Sequence, residues 1–550
     1  VRLLKKYLPR VEFDSYEDFI KNYRLNIPES FNFGFDCVEA WSDVEPDKLA
    51  LCWCDDRGNE KKITFSEMNR LSNQAVHFFT EKGIKKGDPV LLILRRRWEY
   101  WVCAVALHKL GAIVIPASLQ LTAKDISYRV RAAGIKMMVC VHDAFVISQA
   151  AQAQVDIPRV IIGGHSDGWM DFSIEAYPEI FPHPVGRAAT CNEDLMLIYF
   201  TSGTTGMPKM VQHSFLHPLG QIVTAKYWQQ VQEDTLHMSV SDSGWAKFGW
   251  GKIYGQWLCG AAVFAYDMDN FVPASLLQKM QDYKLTTFCA PPTMYRFMLQ
   301  EKDIKKYDLS SIKHYGNAGE PLNPEVFRRW KEITGGELRE GFGQSESSVL
   351  IANFKWVSPR AGSMGKPSPL YDIDLVDAEG KSCENGIEGE IVIRGLDNPS
   401  GLFSGYYKDD SYNAKVFRNG YYATGDVAWR DDDGYYWFVG RNDDVIKCSG
   451  YRIGPFEVES ALIEHPAVIE CAVTAAPDPV RGQVVKATIV LAPGFAPGDL
   501  LIKELQAHVK KVTAPYKYPR IVEFVRELPK TVSGKIKRAQ IRKESEFGKE

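Results

Sequence analysis

Two segments far apart in the chain carry residue types suited to polyphosphate chemistry. The first is Thr201-Ser-Gly-Thr-Thr-Gly-Met-Pro-Lys209. Gly203 and Gly206 permit close backbone approach, while Thr201, Ser202, Thr204 and Thr205 offer hydroxyl and amide donors to phosphate oxygens. Lys209 ends the segment with a cation. The spacing departs from G-x-x-x-x-G-K-[ST], so this is not a Walker loop. The second segment, Pro529-Lys-Thr-Val-Ser-Gly-Lys-Ile-Lys-Arg538, is compact and basic, with Lys535 at its tip. A loop that holds phosphates and a remote lysine able to reach them suggest ATP chemistry on a second substrate.

Four more segments lie between them: Ala318-Gly-Glu-Pro-Leu322, Glu340-Gly-Phe-Gly-Gln-Ser-Glu346, Tyr422-Ala-Thr-Gly-Asp426 and Gly440-Arg-Asn-Asp-Asp-Val-Ile-Lys447. With the first two, they make the chain resemble the adenylate-forming superfamily, from about residue 45 to the C-terminus and with every motif in family order. The resemblance implies that residues 201–206 and Lys209 cradle phosphates. It implies that Gly319, Glu320 and Pro321 line the adenine side, with Glu340, Gly341, Phe342, Gly343, Gln344 and Ser345 alongside. Asp426 and Arg441 would take the ribose and α-phosphate side, and Asp443 would be the hinge. Lys535, Thr204 and Glu346 would be catalytic. Ser345 stands where the family commonly has Thr, and the hydroxyl survives.

The chemistry of these residues agrees. Activating a carboxylate with ATP brings two anions together. Glu346 is a hard oxygen ligand suited to Mg2+ against phosphates. Asp426 suits vicinal ribose hydroxyls, as carboxylates do in other nucleotide sites. Lys535 would neutralise charge shared by the incoming carboxylate and the α-phosphate, which is transition-state stabilisation.

A thiol acceptor is implied by Lys447-Cys-Ser-Gly-Tyr-Arg452, Pro477-Asp-Pro-Val-Arg-Gly482 and Ala514-Pro-Tyr-Lys-Tyr-Pro-Arg520, which resemble the acetyl-CoA and medium-chain acyl-CoA synthetase branch. By that resemblance Gln120, Ser449, Gly450, Tyr451, Arg452, Arg481, Lys510, Tyr518, Pro519 and Arg520 contact coenzyme A. Arg and Lys suit its phosphates, and Tyr can stack on adenine. Residues 243–257, dense in Trp and Gly, would line the acid pocket, with Trp245 near the thiol tunnel. In acetyl-specific relatives a Trp stands in place of Gly343, so glycine here is expected to leave room for several more carbons. Lys247 either approaches a carboxylate or is structural or solvent-facing.

These groups need a scaffold. Residues 89–94 read as a buried strand, 98–110 as a helix and 112–116 as a second strand, an order that argues for parallel α/β layers. Ser66 is expected to cap a helix through Phe79. The strand at 195–200 feeds the first motif, and Cys52-Trp-Cys54 reads as strand packing. Residues 1–40 form an aromatic and charged extension (Tyr16, Phe19, Tyr23, Phe31, Phe33, Phe35) that should pack on the body. Residues 386–436 read as a small β subdomain. Beyond a boundary at 440–444 come a helix at 455–464, strands at 469–475 and 485–491, and a helix at 500–512. The fold class is α/β. A large N-terminal domain (1–440), layered α/β plus a small β subdomain, precedes a small mobile α+β C-terminal domain (441–550).

At 550 residues the chain exceeds what one core usually supports. Its net charge, 66 − 69 = −3, leaves no global electrostatic footprint for nucleic acid. No apolar run is long enough to span a bilayer. Eleven cysteines lack any C-x-x-C pair, which favours a reducing compartment over a zinc or disulfide framework. That compartment is the cytoplasm, or the mitochondrial matrix if a targeting segment preceded Val1. The expected activity is ATP-dependent acyl-CoA synthesis on a short-to-medium-chain, branched or aromatic acid, with ATP, Mg2+ and coenzyme A. A homodimer is compatible with it. The alternatives are a carrier-loading adenylation enzyme, a luciferase-like oxygenase and a non-catalytic adenylate sensor.

Overall fold

Three sheets organise the computed structural model, which describes residues 2–201, 207–396, 400–448, 451–530 and 535–547. The seven-stranded sheet is built on Pro89–Ile93, flanked in parallel by Ile113–Pro116 and Met137–Val141. All three strands are buried throughout, as expected for strands covered on both faces. The helix Glu99–Leu110 crosses between the first two and ends on Gly111 in the left-handed region (φ 77°). At one edge Leu195–Thr201 pairs antiparallel with Lys209–Ser214, Thr201 opposite Lys209. That pairing closes the hydroxyl-rich loop, while its residues 202–206 lie outside the described residues.

The second sheet has fourteen strands. Its parallel half contains Leu49–Asp55, Ala262–Asp267, Leu236–Ser239, Thr287–Ala290, His314–Asn317 and Leu338–Phe342. Its other half is antiparallel and includes Ser363–Pro367, Gly389–Arg394, Tyr421–Arg430 and Tyr436–Arg441. The β region expected at 386–436 is therefore wider and joins the large sheet through the short strand Ile351–Ala352. Cys52 and Cys54 lie on the strand Leu49–Asp55, where burial pushes their thiols up to about 12 and about 11.

The helix Phe65–Glu81 is capped by Thr64, whose hydroxyl accepts from the Glu67 N–H at 3.1 Å, and not by Ser66. Thr64 ends a strand in extended backbone, which places its oxygen over the first turn, whereas Ser66 is already helical. The extension packs as its aromatics suggest: Phe19, Tyr23, Phe31 and Phe33 are buried, and Phe19 lies 4.7 Å from the Tyr227 ring.

The third sheet, of five strands, belongs to the C-terminal lobe. Val468–Asp478 and Gly482–Leu491 form its long hairpin, with Ile521–Val525 parallel to the latter. Pro455–Ile463 and Asp499–Val512 cover it around Val458, Leu462, Leu505 and Val509. This lobe meets the large domain through polar contacts and through Pro455 and Phe456, which pack beside Gly440 and Phe438. Asn323 donates to the Ser460 carbonyl at 3.3 Å, Arg328 reaches Glu464 at 3.6 Å and Arg452 reaches Glu388 at 3.7 Å.

Candidate active site

Strand ends and the loops after them bring the separate motifs to one place. Leu338–Phe342 runs parallel to His314–Asn317, so the segments following them, 318–322 and 340–346, become neighbours. Gly319 takes φ +100°, a conformation that favours glycine. Glu320 accepts from the Thr293 hydroxyl at 2.6 Å. Pro321 precedes Leu322, whose N–H donates to Glu340 at 3.3 Å. Burial pushes the Glu340 carboxyl up to about 8, so it holds its proton at neutral pH.

Gln344 joins this wall to the next. Its amide donates to the Thr424 carbonyl at 2.9 Å and to Asp426, and its oxygen accepts from Tyr422 at 2.8 Å. Asp426 is buried, which pushes its pKa up; Arg441, 3.3 Å away, and Gln344 oppose that shift. Arg441 and Asp426 face each other across the strand pair Tyr421–Arg430 and Tyr436–Arg441. Ser345 presents its carbonyl to His213 at 2.7 Å.

Glu346 is half-buried, and its carboxylate accepts from the Tyr406 hydroxyl at 2.7 Å. Lys209 lies on the other side of the same tyrosine cluster, with its ammonium 3.2 Å from the Tyr412 ring centre and 5.5 Å from that of Tyr406. A cation from the first motif and a carboxylate from the third are thus held around one pair of rings. No linear pattern ties Tyr406 or Tyr412 to the site, because the one stretch that carries both lies 60 residues from Glu346 in the chain.

Lys535 comes to this site from the C-terminal lobe. Its side chain is exposed. It lies close enough for its charge to favour the ionised form of Asp426 and to disfavour the protonated form of Lys247. The lobe is held by Arg538, which pairs with Glu459 at 2.8 Å, and by an Arg542–Asp444 ion pair. Asp444 and its neighbour Asp443 lie in the turn after Arg441, whose Nε is 3.9 Å from Asp443.

The residues expected to meet a second nucleotide gather mostly on the C-terminal lobe. Lys510 and Arg520 sit over the Tyr518 ring at 3.9 and 4.7 Å, and the Pro519 carbonyl accepts from Gln506 at 2.9 Å. Tyr451 stacks on Tyr516 with centroids 4.2 Å apart and both rings exposed. Arg452 pairs with Glu388, while the Arg481 N–H donates to Asp478 at 2.8 Å. Gln120 is exposed on the large domain. Ser449 and Gly450 lie outside the described residues, as do Ser202, Gly203, Thr204, Thr205 and Gly206.

The proposed acid pocket narrows one reading and corrects one expectation. Lys247 is not solvent-facing: it is half-buried, its ammonium donates to the Ala318 carbonyl at 2.6 Å, and burial lowers its pKa. Nor does Gly343 leave open room. A Cβ built there would lie 2.3 Å from the Trp250 ring and 2.8 Å from the Ser348 carbonyl, because an indole from another element already fills the space. Trp245 starts the helix Ala246–Lys252 that carries both Lys247 and Trp250. The preceding Gly244 packs against the Ser118 backbone, near Gln120.

Comparison with known proteins bears on this assembly. Residues 38–407 match the family model described as AMP-binding enzyme, and 457–535 match the AMP-binding enzyme C-terminal domain. The chain is 42% identical over 549 residues to the mitochondrial acyl-coenzyme A synthetase ACSM3 of Mus musculus, covering 96% of this chain and 93% of that protein. It is 44% identical over 546 residues to the mitochondrial acyl-coenzyme A synthetase ACSM4 of Homo sapiens, covering 96% and 93%. Among solved structures, the anthranilate CoA ligase AuaEII with anthranoyl-AMP superposes at a TM-score of 0.87 with 30% identity, covering 95% of this chain and 98% of that one. A Brucella canis acyl-CoA synthetase superposes at 0.74 with 30% identity, covering 98% and 100%.

Proposed function

We propose, from the premise that this chain belongs to the AMP-binding enzyme family, how its residues divide the work of an ATP-dependent acyl-CoA synthetase. The enzyme is an AMP-forming acid–thiol ligase. A carboxylate oxygen attacks the α-phosphate of ATP, pyrophosphate leaves, and acyl-AMP forms. The sulfur of coenzyme A then attacks the acyl carbon, AMP leaves, and the thiol proton passes to solvent.

The observation that carries the assignment is the junction of three motifs at Asp426, where Arg441 lies 3.3 Å away and the Gln344 amide donates to the carboxylate. In this reading Asp426 and Arg441 hold the ribose, and Gln344 keeps the Asp426 carboxylate aimed. Lys535 bridges the incoming carboxylate and the α-phosphate, where charge concentrates in the transition state. Residues 201–206 and Lys209 hold the remaining phosphates. The half-buried Glu346 carboxylate fits Mg2+, which typically takes one or two carboxylates plus substrate phosphates. That ion would supply charge neutralisation on the phosphates.

For the second half-reaction, the Lys510–Tyr518–Arg520 cluster suits the nucleotide end of coenzyme A. Gly450 would clear the path of its pantetheine arm. Turning about Asp443 would exchange the Lys535 face for the Gly450 face, and steps of this kind often limit turnover. The names of the relatives favour the mitochondrial matrix as the compartment. All eleven cysteines are free thiols, which suits any reducing compartment, the matrix included.

Lys535→Ala tests the division of labour. Acid-dependent ATP–pyrophosphate exchange should fall on the order of 10²–10³-fold. Conversion of supplied acyl-AMP and coenzyme A to thioester should persist. Equal loss of both activities would refute the role given to Lys535. Absence of acid-dependent exchange in the wild type, across acids from acetate to benzoate, would refute adenylation itself.

A further inference from the structure

Resting on the reading above, in which Asp426 takes the ribose and Glu346 faces the phosphates, we propose that His213 is a positioning residue for nucleotide binding. It pins the Ser345 backbone, and through it the two functional residues on either side, Gln344 and Glu346.

His213 lies on the strand Lys209–Ser214, which follows the hydroxyl-rich segment. Lys209 and His213 are four residues apart there, so both project from one face. Lys209 reaches the Tyr406 and Tyr412 rings, and His213 reaches the 340–346 segment. Between them Val211 bridges to Tyr406, whose hydroxyl donates to the Glu346 carboxylate at 2.7 Å. One short strand thus meets a phosphate-side cation, the tyrosine that holds Glu346 and the segment that carries Glu346.

The His213 side chain is 0% exposed. Its Nε2 lies 2.7 Å from the Ser345 carbonyl. A carbonyl only accepts, so Nε2 carries the proton and donates. Nδ1 has no hydrogen-bond partner among the described residues. Burial lowers the pKa to about 4, which leaves the ring neutral. The His217 ring packs against it with centroids 4.0 Å apart, and Tyr199 meets it edge-on at 5.9 Å. The ring is therefore fixed by its neighbours and spends its one hydrogen bond on Ser345.

The next carbonyl, that of Glu346, accepts from the Phe403 N–H at 2.7 Å. Two successive carbonyls are held from outside the segment. Before them the Gln344 amide donates to Asp426, and after them the Glu346 carboxylate accepts from Tyr406. A shift of the Ser345 peptide would move both groups together, one on the ribose side and one on the phosphate side.

The test is calorimetric binding of ATP with Mg2+ to the full chain, with the KM for the acid measured beside it. A glutamine amide nitrogen can take the place of Nε2, whereas an asparagine amide is one carbon short of it. His213→Gln should bind within about threefold of wild type and His213→Asn about tenfold more weakly, the scale of one lost hydrogen bond to a part-buried carbonyl. The KM for the acid should stay within about twofold in both, since the acid does not meet this wall. Both variants lose the ring, so a packing role alone would lower both melting temperatures and give the two the same Kd.

Equal Kd values for the two variants overturn the proposal. A loss of acid affinity that matches the loss of ATP affinity overturns it as well. A folded His213→Gln that binds about tenfold more weakly than wild type overturns it alone, so a misfolded asparagine variant does not shelter it. A wild type that binds no ATP sinks the adenylation reading itself, whereas the other outcomes touch only His213.

Discussion

Glu340 is a carboxyl group in a place where a charge is costly. It is buried, and the Leu322 N–H is its hydrogen-bond donor, so its pKa rises to about 8. The unfolded chain releases this proton near the ordinary glutamate value of 4.5. Between the two values the folded protein holds a proton that the unfolded chain has lost, so stability falls as pH rises through that window. Glu340→Gln keeps an acceptor for Leu322 and removes the titration. Its melting temperature relative to wild type should climb between about pH 5 and about pH 9, the interval that brackets both protonation states. A gap that stays flat across this range would show that Glu340 is ionised in the folded protein. The type and position of this residue are plain in the sequence, but its protonation state is not, because that depends on the burial of its surroundings.

At the scale of elements, the antiparallel pair Leu195–Thr201 and Lys209–Ser214 sets the ends of the phosphate loop. The strand before the loop is legible from its apolar run. The strand that begins at Lys209 is less so, since Lys209-Met-Val-Gln-His-Ser214 mixes polar and apolar residues without a clear period. Thr64 took the capping role expected of Ser66 for a related reason: either hydroxyl can cap, and the turn at which helical backbone begins decides between them. The segment that follows Ile446–Cys448 offers a functional prediction. Gly450→Leu should leave pyrophosphate exchange within about twofold of wild type while reducing thioester formation by about a hundredfold or more, as blocking a required approach geometry can do. Loss of exchange as well would mean that this segment serves the first half-reaction too.

For the whole molecule, the meeting of the two lobes matters most. Their contacts among the described residues combine polar pairs with the packing of Phe456 near Phe438, and relative motion is the default expectation for two domains of one chain unless their interface is large and hydrophobic. The Arg328–Glu464 pair is one of them, at 3.6 Å with the arginine about half exposed. Exposed ion pairs are worth about 0.2–1 kcal/mol. Arg328→Ala should therefore slow pyrophosphate exchange by less than about fivefold, and added salt should reduce even that difference. The thioester step from supplied acyl-AMP should not slow. A drop of a hundredfold in exchange would show that the lobes are locked by this contact and do not alternate.

The sequence by itself determined the family, the order of its motifs and the α/β class. Those properties live in short local patterns: a hydroxyl- and glycine-rich loop after an apolar strand, a carboxylate after Thr-Gly, a lysine at the tip of a basic loop. The tertiary structure alone decided which residues meet. It placed Tyr406 between Lys209 and Glu346, aimed Gln344 at Asp426 and turned Lys247 inward onto Ala318. It also filled the space beside Gly343 with Trp250, where the sequence suggested room. A glycine records only that it has no side chain, and whether the volume it yields is empty depends on packing from an element far away in the chain.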